Sequence, residues 1–186
     1  MKTLNKSDLA EDISYELGLL LVDSKKVANN IVSVIKSAIF TKKLVYIPKH
    51  LKIGSSVKNA RIGRNPKTGE EYPITVRHSV RGGKGHFPNM QNKLTKSDFI
   101  TELAEIGYTL DVATTLVETF YKFVGKIKDG QNRIEIRELG VFHSEYRSAR
   151  TVRNPKTGET LEKEEHYTPM FKCAKSLRES MDKHYL

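Results

Sequence analysis

The chain has no tryptophan, one cysteine and no long uninterrupted apolar run. A single thiol, Cys173, excludes an internal disulfide framework and suits a reducing compartment. Set among Phe171, Ala174 and Leu177, it reads as a packed side chain rather than a catalytic one. No stretch approaches the roughly 18 apolar residues that span a bilayer. The acids Asp8, Glu11 and Asp12 near the amino end do not fit a signal or transit peptide. A cytoplasmic protein without a membrane partner is expected. His50, His78, His86, His143, His166 and His184 show no metal-ligand spacing, and Cys173 has no evident base beside it. Gly82-Gly83-Lys84 lacks the frame of a phosphate-binding loop. The residues therefore predict no enzyme, no metal and no cofactor. The lone Arg81-Gly82-Gly83 fits a flexible linker better than an RNA-binding box.

Acidic residues are scarce too, but only in one half. Residues 1–93 hold 17 Lys and Arg against 7 Asp and Glu, whereas residues 94–186 hold 15 of each, so the whole net charge of +10 belongs to the first half. The net charge points to a polyanionic partner or a membrane surface, and an excess placed so unevenly is more than a solubility feature.

What the sequence does contain is a seven-residue string in two copies. Arg64-Asn65-Pro66-Lys67-Thr68-Gly69-Glu70 recurs 89 residues later as Arg153-Asn154-Pro155-Lys156-Thr157-Gly158-Glu159. A repeat of that length in so short a chain marks a duplicated unit. Each copy reads as a turn: proline fixes its own φ and extends the residue before it, and Thr-Gly supplies a position that accepts positive φ.

The pattern around each copy is the same. In the first unit Asn5 caps a helix with Asp8 three residues on, Leu9, Ile13 and Leu17 form its apolar face, and Gly18 ends it. A longer helix from near Asp23 carries Val27, Ile31, Val34, Ile35, Ala38 and Ile39. Leu44–Ile47 is a β-branched strand that Pro48 turns. From Leu51 the chain becomes polar and is expected to leave the core as an arm, with Tyr72–Val80 returning and Arg77, His78 and Arg81 adding charge. Residues 81–93, rich in Gly, Pro and Asn, read as a linker able to span about 40 Å.

The second unit restarts at Thr95-Lys96-Ser97-Asp98, with Phe99, Ile100, Leu103 and Ile106 on one helical face, and Thr109 caps its second helix. Ile134–Phe142 alternates as a strand, a second arm follows, and Pro169 is expected to open a final amphipathic helix through Met181.

This order, with its RNPKTGE tips and the Pro169–Leu177 segment, resembles the bacterial HU/integration host factor family of DNA-bending proteins. Leu139-Gly140-Val141-Phe142 is similar to the family's glycine-bearing segment. The first unit departs at Pro48-Lys49-His50-Leu51, which lacks those glycines, and it has no carboxy-terminal helix. The resemblance implies an α+β fold of two HU-like units, residues 1–80 and 94–186, forming an intramolecular pseudodimer. A homodimer of the whole chain is the alternative assembly.

It further implies a nucleoid-associated partner of double-stranded DNA, with Pro66 and Pro155 as wedges entering from the minor groove. Arg64, Asn65 and Lys67, with Arg153, Asn154 and Lys156, would contact DNA at the tips. Lys58, Arg61, Arg77, Arg81, Arg147 and Arg150 would do so along the arms, and Lys172 and Lys175 on the body. The acidic Glu162–Glu165 run reads as a solvated face that weakens the second arm, so the first arm is expected to bind harder. The rival reading is a degenerate regulatory or protein-interaction factor with weak DNA binding.

Overall fold

The computed structural model describes residues 1–85, 87, 92–154 and 156–185. Among these, the first unit contributes β1 (Lys2–Asn5), α1 (Lys6–Leu17), α2 (Leu21–Phe40), β2 (Leu44–Ile47), β3 (Leu51–Lys58), β4 (Arg61–Arg64), β5 (Glu71–Ile74) and β6 (Arg77–Gly83). The second contributes β7 (Lys93–Leu94), α3 (Lys96–Glu105), α4 (Leu110–Gly125), β8 (Asn132–Ile136), β9 (Gly140–Arg147), β10 (Arg150–Arg153), β11 (Thr160–Lys163), β12 (His166–Cys173) and α5 (Lys175–Tyr185).

Local chemistry sets the helix ends. Asn5 accepts from the Ser7 amide at 2.6 Å while Asp8 accepts from the Asn5 amide at 2.6 Å, and Gly18 closes α1 with φ 63°. Thr95 and Asp98 form the same reciprocal cap on α3, and Thr109 caps α4.

The two units share one sheet of eight strands, in the order β1-β8-β9-β12-β6-β3-β2-β7. That order is a palindrome of the two units. The join is β12 against β6, with Phe171 opposite Gly82 and Lys172 opposite Arg81. Gly82 and Phe171 are themselves 89 residues apart, so each faces its own counterpart, as residues on a two-fold axis must. The exchange extends to the edges: β1 of the first unit runs parallel to β8 of the second, and β7 runs parallel to β2. Beneath the sheet, Leu9, Ile13, Ile31 and Ile35 meet Phe99, Leu103, Phe120 and Phe123 in a single buried cluster. Among the described residues, lysine–carboxylate pairs cross between the units at Asp12–Lys126, Glu16–Lys122, Lys36–Glu138 and Lys43–Glu102. All are exposed enough to be screened by solvent, so the shared apolar core rather than these contacts holds the units together.

Four sequence expectations are corrected. The chain does not leave the core at Leu51: Leu51 and Ile53 are buried and β3 pairs with β6 as far as Lys58 opposite Arg77, so the arm begins only beyond Lys58. The run 134–142 is not one strand, because Glu138 takes φ 66° and Leu139 donates back to the Ile136 carbonyl at 3.1 Å, closing a three-residue hairpin. Lys49 takes φ 64° at the matching place in the first unit, so the missing glycines there do not prevent the turn. Pro169 does not start a helix. It lies in β12 opposite Ser144, where the β6 side of the strand is open, the setting in which a sheet accepts a residue without an N–H. Finally, Arg81 belongs to β6 rather than to a linker; the linker residues His86 and Pro88–Gln91 lie outside the described residues.

His78 also differs from its expected role as an arm cation. It is 1% exposed, and its amide and Nδ1 both meet Asp182 of α5, at 2.6 and 3.0 Å. The second unit's last helix thus latches onto the first unit's returning strand. Tyr185 extends the latch, donating to the Phe40 carbonyl at 2.7 Å under Lys42. The His78 amide holds the Asp182 carboxyl below its ordinary range. A depressed carboxyl stabilises above its unfolded value near 3.9 and loses that contribution as pH falls through the folded value. Asp182→Ala is expected to cost about 1–3 kcal/mol by leaving a buried N–H unpaired. It should also flatten the loss of stability in acid below about pH 4; thermal unfolding across pH 2.5–7 (approximately) checks both.

Candidate nucleic-acid interface

The described residues of each repeated string fold as an ordered tip on a two-stranded ribbon, β4 against β5 and β10 against β11. In the first, the Asn65 amide donates to the Glu70 carbonyl at 2.9 Å and Gly69, at φ 77°, donates back to Asn65 at 2.8 Å. The Asn65 side chain accepts from the Lys67 amide at 3.0 Å across the proline, and Arg64 Nε donates to the Gly69 carbonyl at 3.0 Å. The second repeats these contacts: Asn154 with Lys156 at 3.0 Å, Arg153 with Gly158 at 3.1 Å, and Gly158 at φ 77°. Identical residues thus make identical bonds in two places. The tip geometry is local, owed to Asx and glycine turn chemistry. Pro66 is exposed at its tip; Pro155 lies outside the described residues.

The bonds to the glycine carbonyls use only the Nε of Arg64 and Arg153. Their terminal nitrogens keep donors for an acceptor outside the chain.

At the base of the first arm lies a cleft of about 940 Å³. It brings together Lys58, Arg61, Arg77 and Lys172, so predicted cations from both units meet there, with the Glu145 carboxylate at the second unit's side of the cleft. Arg147 and Arg150 line a separate hollow of about 370 Å³ at the base of the second arm, beside Lys163 and His166. Arg81 stands opposite Lys172 at the pseudo-dyad and lies over the Phe87 ring at 5.4 Å. Lys175 is not in either hollow; it opens α5 and meets Glu179 at 3.5 Å.

Sequence reasoning missed two cations. Lys52 alternates with the buried Leu51 and Ile53, so strand period places it on the outward face with Ser56 and Lys58, a signal present in the sequence. Arg178 reaches the first cleft from α5, and only the fold places it there.

The second arm is braced by a different chemistry. Tyr146 and Tyr167 meet edge-on at 5.6 Å, and the Tyr146 hydroxyl donates to Glu165, which raises its pKa. Glu165 therefore has a structural partner within the acidic run. Cys173 is half-buried and burial pushes its thiol up to about 11, consistent with a packed role. Among the described residues no group of three or more His, Cys, Asp or Glu is placed to hold a metal, and no helix is long and apolar enough to cross a membrane.

The profile of one family, described as bacterial DNA-binding protein, matches residues 4–82 and again 94–182. The chain belongs to that family, the family of HU and integration host factor. It is a tandem HU/IHF-like DNA-binding architectural protein. Integration host factor subunit beta of Shewanella sp. (strain W3-18-1) is 41% identical over 92 residues, which make up 48% of this chain and 96% of that protein. The same subunit of Glaesserella parasuis serovar 5 is 37% identical over 92 residues, 48% of this chain and 98% of the other. An Anabaena HU–DNA cocrystal structure is 26% identical, with a TM-score of 0.41, over 46% of this chain and 95% of that one. In each case about half of this tandem HU/IHF-like chain corresponds to nearly all of its relative.

Proposed function

We propose that this chain bends double-stranded DNA as a single-chain pseudodimer, with residues 1–80 and 94–186 as its two units and 81–93 joining them. The observation that carries this reading is the pair of matching tips, each pre-ordered by its own hydrogen bonds and carried on an arm whose base opens onto a hollow in which cations outnumber carboxylates. Pro66 and Pro155 act as wedges between base pairs from the minor groove. A rigid ring lacking an N–H brings little ordering entropy and no donor to desolvate. Unstacking a step costs a few kcal/mol, and the bent duplex offsets this by meeting more phosphate-binding surface. Arg64, Asn65, Lys67 and their second-tip counterparts Arg153, Asn154 and Lys156 contact the groove. Lys58, Arg61, Arg77, Arg81, Arg147, Arg150, Lys172 and Lys175 contact the backbone. The chain works in the cytoplasm on the nucleoid, with no enzymatic step.

The reading is tested by titrating linear, nicked and pre-bent duplexes over a salt series, with end-to-end energy transfer reporting the bend. The expected outcome is tighter binding to distorted duplex, with log K falling linearly against log salt at about 0.9 per phosphate contacted. No binding near physiological salt would instead support a regulatory or protein-interaction role.

A further inference from the structure

The pseudo-dyad allows the outward faces of the two half-sheets to be compared position by position. In the first unit the cross-strand neighbours on that face are Tyr46 with Lys52, Gly54 with Arg81, Ser56 with Ser79, and Lys58 with Arg77. The same places in the second unit hold Glu135 with Val141, His143 with Met170, Glu145 with Thr168, and Arg147 with His166. The first half therefore presents Lys52, Lys58, Arg77 and Arg81 with no carboxylate. The second replaces Tyr46 by Glu135 and Ser56 by Glu145.

Those two glutamates are engaged with the cations around them. Arg133 meets Glu135 at 3.0 Å and Arg147 meets Glu145 at 2.7 Å, while His143 stands 4.0 Å from Glu145. Among the described residues, Lys52, Lys58, Arg77 and Arg81 enter no ion pair. The Arg–Glu contacts are about half exposed and weak in themselves. Their effect on a duplex is nonetheless large. An arginine that keeps a carboxylate two residues away on the same face adds almost no net charge, so it releases few counterions from DNA.

We infer that Glu135 and Glu145 are specificity-determining residues that make the sheet surface polar, so that phosphates are gripped more strongly on the first unit's half than on the second's, where Lys172 is the cation of this face without an ion pair among the described residues. The inference rests on the proposed DNA-binding role. It is independent of the acidic run on the second arm, because these carboxylates lie in the shared sheet. The favoured ligand is then a duplex whose two flanks differ, with the flank that deforms at least cost lying along the first unit.

The experiment measures the salt dependence of binding to a nicked duplex for the full chain and three double variants. Glu135→Gln with Glu145→Gln should steepen the log–log slope by about 2 and bring a tighter complex at low salt. Tyr46→Glu with Ser56→Glu, which copies the second half's pattern onto the first, should lower the slope by about 2. That corresponds to a roughly tenfold smaller loss of affinity between about 0.05 and 0.2 M salt. Lys52→Gln with Lys58→Gln should lower it similarly. All four exposed or half-exposed positions of the first two variants sit outside the core, and unfolding curves confirm that each variant is folded. A Glu135/Glu145 double variant with the wild-type slope and affinity overturns the inference while wild-type binding leaves the functional reading standing. Absence of salt-dependent binding by the wild type overturns both.

Discussion

Pro66→Ala is expected to weaken binding to a nicked or pre-bent duplex by about 30- to 100-fold, equivalent to roughly 2–3 kcal/mol, and to reduce the bend on linear duplex. The tip around it is held without proline's help: Asn65 bonds the Lys67 amide, Arg64 bonds Gly69, and Gly69 supplies the positive φ. Alanine can therefore take the same place in an intact turn. What it removes is the rigid apolar edge that fills an unstacked step, so the loss reports the wedge rather than a collapsed arm. Pro155→Ala should cost less, because the second unit is neutral overall and its ribbon is flanked by Glu162, Glu164 and Glu165. Energy transfer and competition binding on the two single variants test the order. Equal losses would sink the idea of a dominant first arm.

The second large effect is on the fold. Gly140→Ala should destabilise the chain by about 2–5 kcal/mol, combining a left-handed backbone penalty with overpacking. Gly140 takes φ 152°, and a Cβ there would meet the Lys172 carbonyl oxygen and lie 2.8 Å from the Phe171 ring. The first unit solves the same place the other way round. Leu51, the counterpart of Gly140, is buried and has ordinary backbone, while Gly82 stands where Phe171 stands in the second unit. A Cβ on Gly82 would come within 2.5 Å of the Phe171 Cβ across the pseudo-dyad. Bulk and glycine have thus been exchanged between the halves. Denaturant unfolding of Gly140→Ala checks the estimate; a change below about 1 kcal/mol would show that Phe171 has room to move.

The helix caps at Asn5, Thr95 and Thr109, the helix end at Gly18 and the tip turns were legible because each depends on contacts within a few residues. The apolar faces of the helices were legible from their spacing, and so was the assignment to two units. The strands depend more on distant partners. Alternation from Ile134 to Phe142 continues through a hairpin whose turn depends on Glu138 taking φ 66°, a conformation that residue type does not announce. Pro169 reads as a helix start by local preference, yet it lies in a strand because β12 is wanted as a partner by β9 and β6.

By itself the sequence determined the duplication, the tip chemistry, the family and the concentration of positive charge in the first unit. All of these reside in residue identity and short spacing. The tertiary structure alone decided which cations meet: Lys172 comes beside Arg81 and into the first arm's cleft because β12 joins β6 across the dyad. It turned His78 from an arm cation into a buried anchor for α5, and it set Glu135 and Glu145 against the places of Tyr46 and Ser56. Such pairings join residues tens of positions apart, and only the closing of a shared core brings them into register.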